Sequence, residues 1–142
     1  MALHFPVAPM KAAMGSLPPE IEDDRWAYEI KWDGYRALAF VDNGTVRLQS
    51  SSGRDMTAQY PELASLADGV NGTSAILDGE VVVVGDDGRP SFEALQRHEN
   101  PVVFQAFDVL QVNGTDAISL PYEQRRALLA QVLDPGPGWA VP

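Results

Sequence analysis

The sequence contains no cysteine, and this absence excludes several kinds of chemistry at once. Without thiols there is no disulfide, no thiolate zinc site and no cysteine nucleophile. Only two histidines are present, His4 and His98, and they stand far apart in predicted loops. A catalytic triad or a metal site built on histidine is therefore disfavoured. Any chemistry in this chain should rest on lysine, arginine and carboxylates.

Positive charge is also scarce, because 10 lysines and arginines face 20 acidic residues and leave a net charge of −10. Affinity for a phosphate backbone comes mostly from Lys and Arg, so this chain by itself should not grip nucleic acid strongly. No apolar run approaches the roughly 18 residues that suggest a membrane span. The first residues, MALHFPVAPMKAAMG, lack the basic start and the long apolar region of a signal peptide. These absences favour a bacterial-type cytoplasmic protein with no membrane partner.

The two common phosphate-binding glycine motifs, GxxxxGK[ST] and GxGxxG before a helix, are missing as well, and no internal repeat is visible. A length of 142 residues fits one domain or part of a larger one. Residues 1–24 are rich in proline and alanine and are interpreted as an extended N-terminal lead-in. Residues 25–142 are expected to form the folded part.

Hydrophobic periodicity predicts an α+β fold in that part. The turns between strands suggest a largely antiparallel sheet with packed helices. A hairpin turn is expected at 42–44, where Asn43 and Gly44 accept positive φ. The predicted strands cover 25–41, 45–50, 74–84 and 102–112, and the predicted helices cover 61–67, 91–97 and 119–133. Ser91 is the expected N-cap of the second helix, and an apolar stripe along the third comprises Leu120, Leu128, Leu129, Val132 and Leu133.

The stretch EIKWDGYR, residues 29–36, is unusually charged for a predicted strand. Alternation along a strand would place Lys31 on a mostly polar face and the aromatic residues on the opposite face. The polar face would carry Ala27, Glu29, Lys31 and Asp33, and the opposite face Trp26, Tyr28, Ile30 and Trp32. Taken alone, Lys31 is a solvated strand lysine. The alternative is a reagent, because Gly34 would let backbone approach a ligand and Arg36 could bind phosphate.

Two further strands carry polar or aromatic residues that allow two interpretations. Asp78 and Glu80 flank Gly79, so their side chains share one face of a strand. They form either an exposed edge or a carboxylate pair for a divalent metal or a ribose hydroxyl. Phe107 lies in the last predicted strand, where an aromatic is more often core than ligand-binding.

Taken together, EIKWDGYR, LDGE and FQAFD follow one another in this order, each on a predicted strand. The set resembles the covalent nucleotidyltransferases, which include polynucleotide ligases and mRNA capping enzymes and whose first motif is KxDGxR. The flanking residues bring the resemblance closer to ATP-dependent DNA ligases of the bacterial end-joining type. They are PVAPMKA, EIKWDGYRALAFV, QYPEL, ILDGEVVV, GRPSFEALQR, VVFQAFDVL and LPYEQRRALL, so the resemblance covers nearly all of residues 6–142. It implies part of a ligase adenylation domain, with an ATP-grasp-like nucleotidyltransferase fold.

The resemblance implies a role for each matching position. Lys31 would attack the α-phosphate of ATP and form a covalent lysyl-AMP, with Mg²⁺ or Mn²⁺ offsetting phosphate charge. A lysine attacks only as the neutral amine, which Arg36 and the bound metal would favour. The implied nucleotide-binding residues are Glu29 near the adenine amino group, Ile30, Arg36 at ribose or phosphates, Ser51, Arg54, Glu80 at a ribose hydroxyl and Phe107 stacked on the purine. Asp78 and Glu80 are the implied metal ligands.

The sequence departs from the family pattern in two respects. The family's next motif reads SRxG, but Ser51 stands where the arginine belongs, and Arg54 follows three residues later. A serine offers one hydroxyl instead of a planar cation with five donors, so contact with nucleotide or with the DNA 5′-phosphate is expected to weaken. The later EGxxxK and KxK-like motifs and the OB-fold domain have no counterpart here. Self-adenylation by this chain alone is therefore expected to be weak or lost.

The implied partners follow from the complete ligase. They are nicked or broken double-stranded DNA, the C-terminal part of the adenylation domain with the OB-fold domain, and end-joining proteins, with action at the bacterial nucleoid. Two other interpretations stay open. One is a non-catalytic remnant that binds a nucleotide or a partner, and the other is an RNA ligase or a capping-type nucleotidyltransferase, which the flanking residues favour less.

Overall fold

The fold is a mixed six-stranded sheet with short helices packed mainly on one face. A computed structural model describes residues 4–11, 13, 15–16, 18–29, 31–85, 87–97 and 100–142. The strands are β1 Tyr35–Asp42, β2 Thr45–Ser50, β3 Ser74–Val82, β4 Val103–Val112, β5 Thr115–Asp116 and β6 Trp139–Ala140. Their order is β2-β1-β3-β4-β5, and β6 pairs with β4. Every pairing is antiparallel except the one between β4 and β6, so the predicted α+β class with a largely antiparallel sheet is confirmed.

The helices are short, and several have 3₁₀ geometry. Helix α1 spans Phe92–Arg97 and α2 spans Tyr122–Val132, while 3₁₀ helices cover Glu20–Arg25, Thr57–Gln59 and Pro61–Gly69. The Ser91 hydroxyl accepts a hydrogen bond from the Ala94 N–H at 3.1 Å, which confirms the predicted N-cap. Helix α2 is shorter than predicted because it begins only after Pro121. No helix in the described part of the chain is long and apolar enough to cross a lipid bilayer.

The predicted hairpin turn between β1 and β2 is confirmed. Asn43 and Gly44 have φ angles of 48° and 83°, the positive values that a tight two-residue hairpin turn requires. Asn113 and Gly114 repeat this arrangement between β4 and β5, with φ angles of 50° and 81°. Local sequence therefore sets both turns.

The first strand was predicted too long, because it begins at Tyr35 rather than at residue 25. Trp26 and Tyr28, which were placed on the more apolar face of that predicted strand, are 56% and 58% exposed. The reason lies in pairing: Tyr35 already pairs with Val81 at the end of β3, so the earlier residues have no strand beside them. Alternating side chains alone do not make a strand without that ladder. Ile30 and His98 lie outside the described residues.

The two faces of the sheet differ in composition. The face that we call the core face carries Ala37, Ala39 and Val41 of β1 and packs against the helices. Its cluster also includes Leu63 and Leu66 of a 3₁₀ helix, Leu95 of α1, Leu129 and Val132 of α2, and Leu133 just after it. Leu128 packs against this cluster, and Leu120 lies before α2 and is half-buried. The opposite face, the site face, has a small apolar cluster of Leu38, Ile76 and Leu110.

Part of the N-terminal lead-in is held on the site face. Gln49 in β2 is fully buried and pairs with the backbone of Val7 as a strand would. The Val7 N–H donates to Gln49 Oε1 at 2.7 Å, and Gln49 Nε2 donates to the Val7 carbonyl at 2.6 Å. Phe5 adds an edge contact with Phe40, with ring centroids 5.1 Å apart. These contacts give the lead-in a fixed place on the sheet.

Candidate functional site

Lys31 lies in the irregular segment that leads into β1, not in the middle of a strand. This exposed lysine contributes to a small cavity of 250 Å³, the lysine cavity. The cavity is lined by Glu29, Lys31, Trp32, Glu80 and Phe107. Three separate elements, the approach segment, β3 and β4, thus bring four of the predicted site residues together.

Gly34 sets the path of the approach segment. A Cβ atom at this position would lie 2.1 Å from the Val81 carbonyl oxygen and 2.9 Å from Val82 Cγ1. No side chain fits at such distances, so glycine is required for the backbone to lie against β3. The sequence suggested that Gly34 would let the backbone approach a ligand. In the structure the backbone at Gly34 instead lies close to Val81 and Val82 of β3. The consequence is that Lys31 is carried to the side of Glu80.

Glu80 is the half-buried carboxylate of the lysine cavity. Burial raises the pKa of its carboxyl, and the charge of Asp33 raises it further. Three groups oppose this shift because each favours the ionised carboxylate. They are the charges of Arg36 and Lys31 and a hydrogen bond from the Gly34 backbone N–H. The carboxylate is thus held among cations and a backbone donor at the cavity wall, where it can bind a hydroxyl group or a cation.

Arg36 and Asp78 form a bidentate ion pair on the site face. Arg36 Nε donates to Asp78 Oδ1 at 2.7 Å, and Nη2 donates to Oδ2 at 2.6 Å. Asp78 is only 2% exposed and Arg36 is 23% exposed. The hydrogen bond raises the pKa of Arg36, while burial raises the pKa of the Asp78 carboxyl against the pull of its partner. The fork geometry fixes the plane of the guanidinium group.

The divalent metal implied by the family needs oxygen ligands, and the predicted ligands Asp78 and Glu80 differ in whether their oxygens are available. Both oxygens of Asp78 accept hydrogen bonds from Arg36, whereas Glu80 faces the lysine cavity. The described residues contain no group of three or more His, Asp or Glu that could hold a metal ion. Mg²⁺ is commonly held by one or two carboxylates together with substrate phosphates, so Glu80 fits this ion without a protein cage.

Phe107 lies at an irregularity in β4. Gly79 pairs with Ala106 and Asp78 pairs with Asp108, so Phe107 is one extra residue in the ladder. Its ring lines the lysine cavity and lies 5.2 Å from Cζ of Arg36. Ala106 before it belongs to the core face, so alternation along β4 places the Phe107 ring on the site face.

Ser51 and Arg54 line a different cavity, of 720 Å³, which we call the loop cavity. Its walls include Arg36, Tyr35, Tyr60 and Gln96 as well as the 50–56 loop. Lys31 does not line it. Arg36 connects the two places, because it lines the loop cavity while its guanidinium group contacts Phe107 of the lysine cavity. The predicted residues therefore divide into two neighbouring groups.

Helix α2 supplies site residues that sequence reasoning missed. Tyr122 and Arg126 line a cavity of 350 Å³, the helix-side cavity, together with Tyr28, Glu29, Trp32, Phe107 and Pro142. Burial raises the pKa of Tyr122, and so does a side-chain hydrogen bond with Glu29. Sequence reasoning gave this helix an apolar stripe and quoted LPYEQRRALL for the family resemblance, but nothing in the sequence linked its first turn to the segment around Glu29.

The comparisons with known proteins agree with this geometry. The family model described as ATP dependent DNA ligase domain matches residues 9–140. The chain is 44% identical over 125 residues to the multifunctional non-homologous end joining DNA repair protein LigD of Mycobacterium tuberculosis, covering 87% of this chain and 16% of the relative. LigD of Pseudomonas aeruginosa is 38% identical over 134 residues, which cover 90% of this chain and 16% of that relative.

A solved structure supports the fold as well. The structure described as mycobacterial DNA ligase D complexed with ATP and MES matches with a TM-score of 0.65 and 41% identity, covering 78% of this chain and 40% of that one. This chain belongs to the ATP-dependent DNA ligase domain family. Its resemblance is to the adenylation domain of the bacterial end-joining type, and it spans only a minor part of the curated relatives.

Proposed function

We propose that residues 25–142 are part of an ATP-dependent DNA ligase adenylation domain that forms a covalent lysyl-AMP at Lys31. Its Nζ attacks the α-phosphorus of ATP; a P–N bond forms as the bond to pyrophosphate breaks, and the amine proton is lost to solvent. The AMP then passes to a DNA 5′-phosphate before the nick is sealed. The observation that carries this proposal is the lysine cavity, where Lys31, Glu80 and Phe107 meet from three distant parts of the chain.

Each wall of the cavity has chemistry suited to one part of ATP. Phe107 offers an aromatic face for the purine, a contact that every base can make. Glu29 accepts hydrogen bonds, as selection of the adenine amino group requires. Glu80 would hold a ribose hydroxyl or Mg²⁺ or Mn²⁺, and the bound ion would offset phosphate charge. Ile30 precedes Lys31 and is assigned to the nucleotide site by the family motif alone.

Arg36 is proposed to contact the ribose or the phosphates. Its pairing with Asp78 fixes the fork and leaves the group on the wall of the loop cavity. We therefore assign Asp78 the positioning of Arg36 in place of direct metal binding. Ser51 and Arg54, on the same cavity, would face the phosphate side of the nucleotide or of DNA.

The proposed partners lie beyond this chain. Its net charge of −10 opposes strong binding to a phosphate backbone, so nicked or broken double-stranded DNA would be gripped by other parts of the ligase. These are the remainder of the adenylation domain and an OB-fold domain, acting with end-joining proteins in the bacterial cytoplasm at the nucleoid.

A labelling experiment with a matched control tests the assignment of the nucleophile. The chain has only two lysines, Lys11 and Lys31, which makes the comparison clean. The protein is incubated with ATP labelled at the α-phosphate and Mg²⁺ or Mn²⁺, then denatured. We expect acid-labile label that is weak in the parent, because the later motifs have no counterpart here, equal in Lys11→Ala and absent in Lys31→Ala. Label that persists in Lys31→Ala would refute the proposed nucleophile.

A second candidate function is binding without chemistry, which Ser51 in place of the family arginine favours. Calorimetry that detects ATP binding without any covalent label would support this candidate. Label from GTP in preference to ATP would instead favour the capping-type interpretation. If the protein neither binds ATP nor becomes labelled, that result would contradict the proposal altogether.

A further inference from the structure

We infer that Tyr122, in the first turn of α2, is a positioning residue for Glu29 and thereby sets the choice of nucleobase at the proposed ATP site. This inference rests on the proposed function and extends it to a helix whose residues the resemblance gave no role. The supporting observation is the helix-side cavity, in which Tyr122 and Glu29 face a common space beside Phe107.

Glu29 needs an external support because its own backbone offers little. The segment at residues 26–29 is exposed and belongs to no strand, so no ladder fixes the direction of its side chains. A carboxylate that selects a base must keep its oxygens in a fixed orientation, since specificity depends on hydrogen-bond geometry. A donor on a regular helix can supply that orientation at low entropic cost.

Tyr122 has the properties of such a donor. It lies at the start of α2, half-buried, and it lines the helix-side cavity together with Glu29, where a phenol can donate to the carboxylate. A carboxylate accepts and a phenol donates, so the phenol must stay protonated. Burial and the neighbouring carboxylate raise the pKa of Tyr122, which keeps the proton on the phenol over the working pH range.

The same helix also holds the aromatic wall of the cavity. Arg126 Nη1 donates to the Phe107 carbonyl at 3.2 Å, and Arg125 Nε donates to Asp108 Oδ1 at 2.8 Å. Helix α2 is thus tied to β4 at the residues of the bulge. These contacts fix its position relative to Phe107 without involving Tyr122, so one rigid element can align the base-stacking wall and the base-selecting carboxylate.

A double-mutant cycle on the full chain tests the inference. Dissociation constants for ATP and GTP are measured by calorimetry in the parent, Tyr122→Phe, Glu29→Gln and the double variant. We expect each single variant to lower the preference for ATP by about tenfold, which corresponds to roughly one well-made hydrogen bond. The double variant should lose no more than either single one, because both remove the same interaction. Gln124→Ala, exposed in the same turn, is the matched control and should keep the parent's preference.

A second readout needs no nucleotide. The phenolic carbon resonance of Tyr122, assigned by its loss in Tyr122→Phe, should shift in Glu29→Gln and not in Gln124→Ala. An unshifted resonance, an unchanged ATP preference in Tyr122→Phe, or additive losses in the double variant would each overturn the inference. A parent that binds neither nucleotide would overturn the proposed function and this inference with it. A shifted resonance in that parent would show that the contact exists without the function.

Discussion

The two faces of the sheet differ in the environment that they give to neighbouring residues of the same strands. On the core face, Phe104 of β4 is fully buried in a large apolar cluster under the helices. Three residues later Phe107, on the site face, lies against a guanidinium group and a cavity. The core face uses apolar area for stability, whereas the site face keeps charges that cost stability unless paired. Function is therefore to be sought where the apolar packing is thin.

The largest expected effect distinguishes the two phenylalanines. Phe104→Ala should lower the free energy of unfolding by about 3–5 kcal/mol, since it opens a cavity in a packed core. Phe107→Ala should cost about 1 kcal/mol in stability but lower ATP affinity roughly tenfold or more through lost stacking. Urea unfolding and calorimetry measure the two quantities. If Phe104→Ala does not fold, Phe104→Leu gives a milder version of the same comparison. Equal stability losses in both positions would refute the division between the faces.

The second expected effect compares a buried ion pair with an exposed one. Asp78→Asn leaves Arg36 without its charged partner in a largely buried place, so we expect a loss of about 2 kcal/mol. Glu93→Gln disrupts the exposed pair with Arg97 on α1 and should cost about 0.5 kcal/mol or less. Both changes keep the side-chain shape. Thermal or urea unfolding at low and high salt checks them, and a larger loss in Glu93→Gln would contradict the assignment of Asp78 to Arg36.

The smallest effect concerns pH and Glu80. Its pKa is raised in the folded protein by burial, so between the unfolded and folded values the native state binds more protons. Ionisation of Glu80 therefore lowers the free energy of unfolding as the pH rises from the ordinary glutamate pKa to the raised pKa of the folded protein. Glu80→Gln should be more stable than the parent at pH 7, and the difference should vanish below about pH 4. Urea unfolding across pH measures this; Glu123→Gln, exposed on α2, serves as control. A parent more stable than Glu80→Gln at pH 7 would show that the cations around Glu80 outweigh its burial.

Much of this comparison was accessible from the sequence, because local rules govern it. The conformation of a turn or a helix cap depends mainly on the residue types at that position, as at Asn43, Gly44 and Ser91. Four motif residues of the site were also predicted to act together, and the lysine cavity brings them together. Their catalytic and binding roles remain predictions.

What the sequence could not supply depends on contacts between distant segments. The start of β1 depends on where β3 ends, and no residue type predicts that Phe107 is an extra residue in the pairing of β4 with β3. The pairing of Asp78 with Arg36 required knowledge of the register between β1 and β3. Tyr122 and Glu29 line one cavity because α2 is tied to β4 by hydrogen bonds of Arg125 and Arg126. Such facts belong to tertiary structure.

The bulge at Phe107 makes the number of residues in β4 as important to the site as their identity. With Phe107 removed, Ala106 and Asp108 would be neighbours opposite Gly79 and Asp78, and the ladder with β3 would be regular at this point. The lysine cavity would then lose the aromatic wall that it shares with Glu80. Substitutions in this stretch can be compensated by neighbouring side chains, whereas a change of length cannot. Relatives that build the same cavity should therefore tolerate exchanges of residue type around this point far better than insertions or deletions.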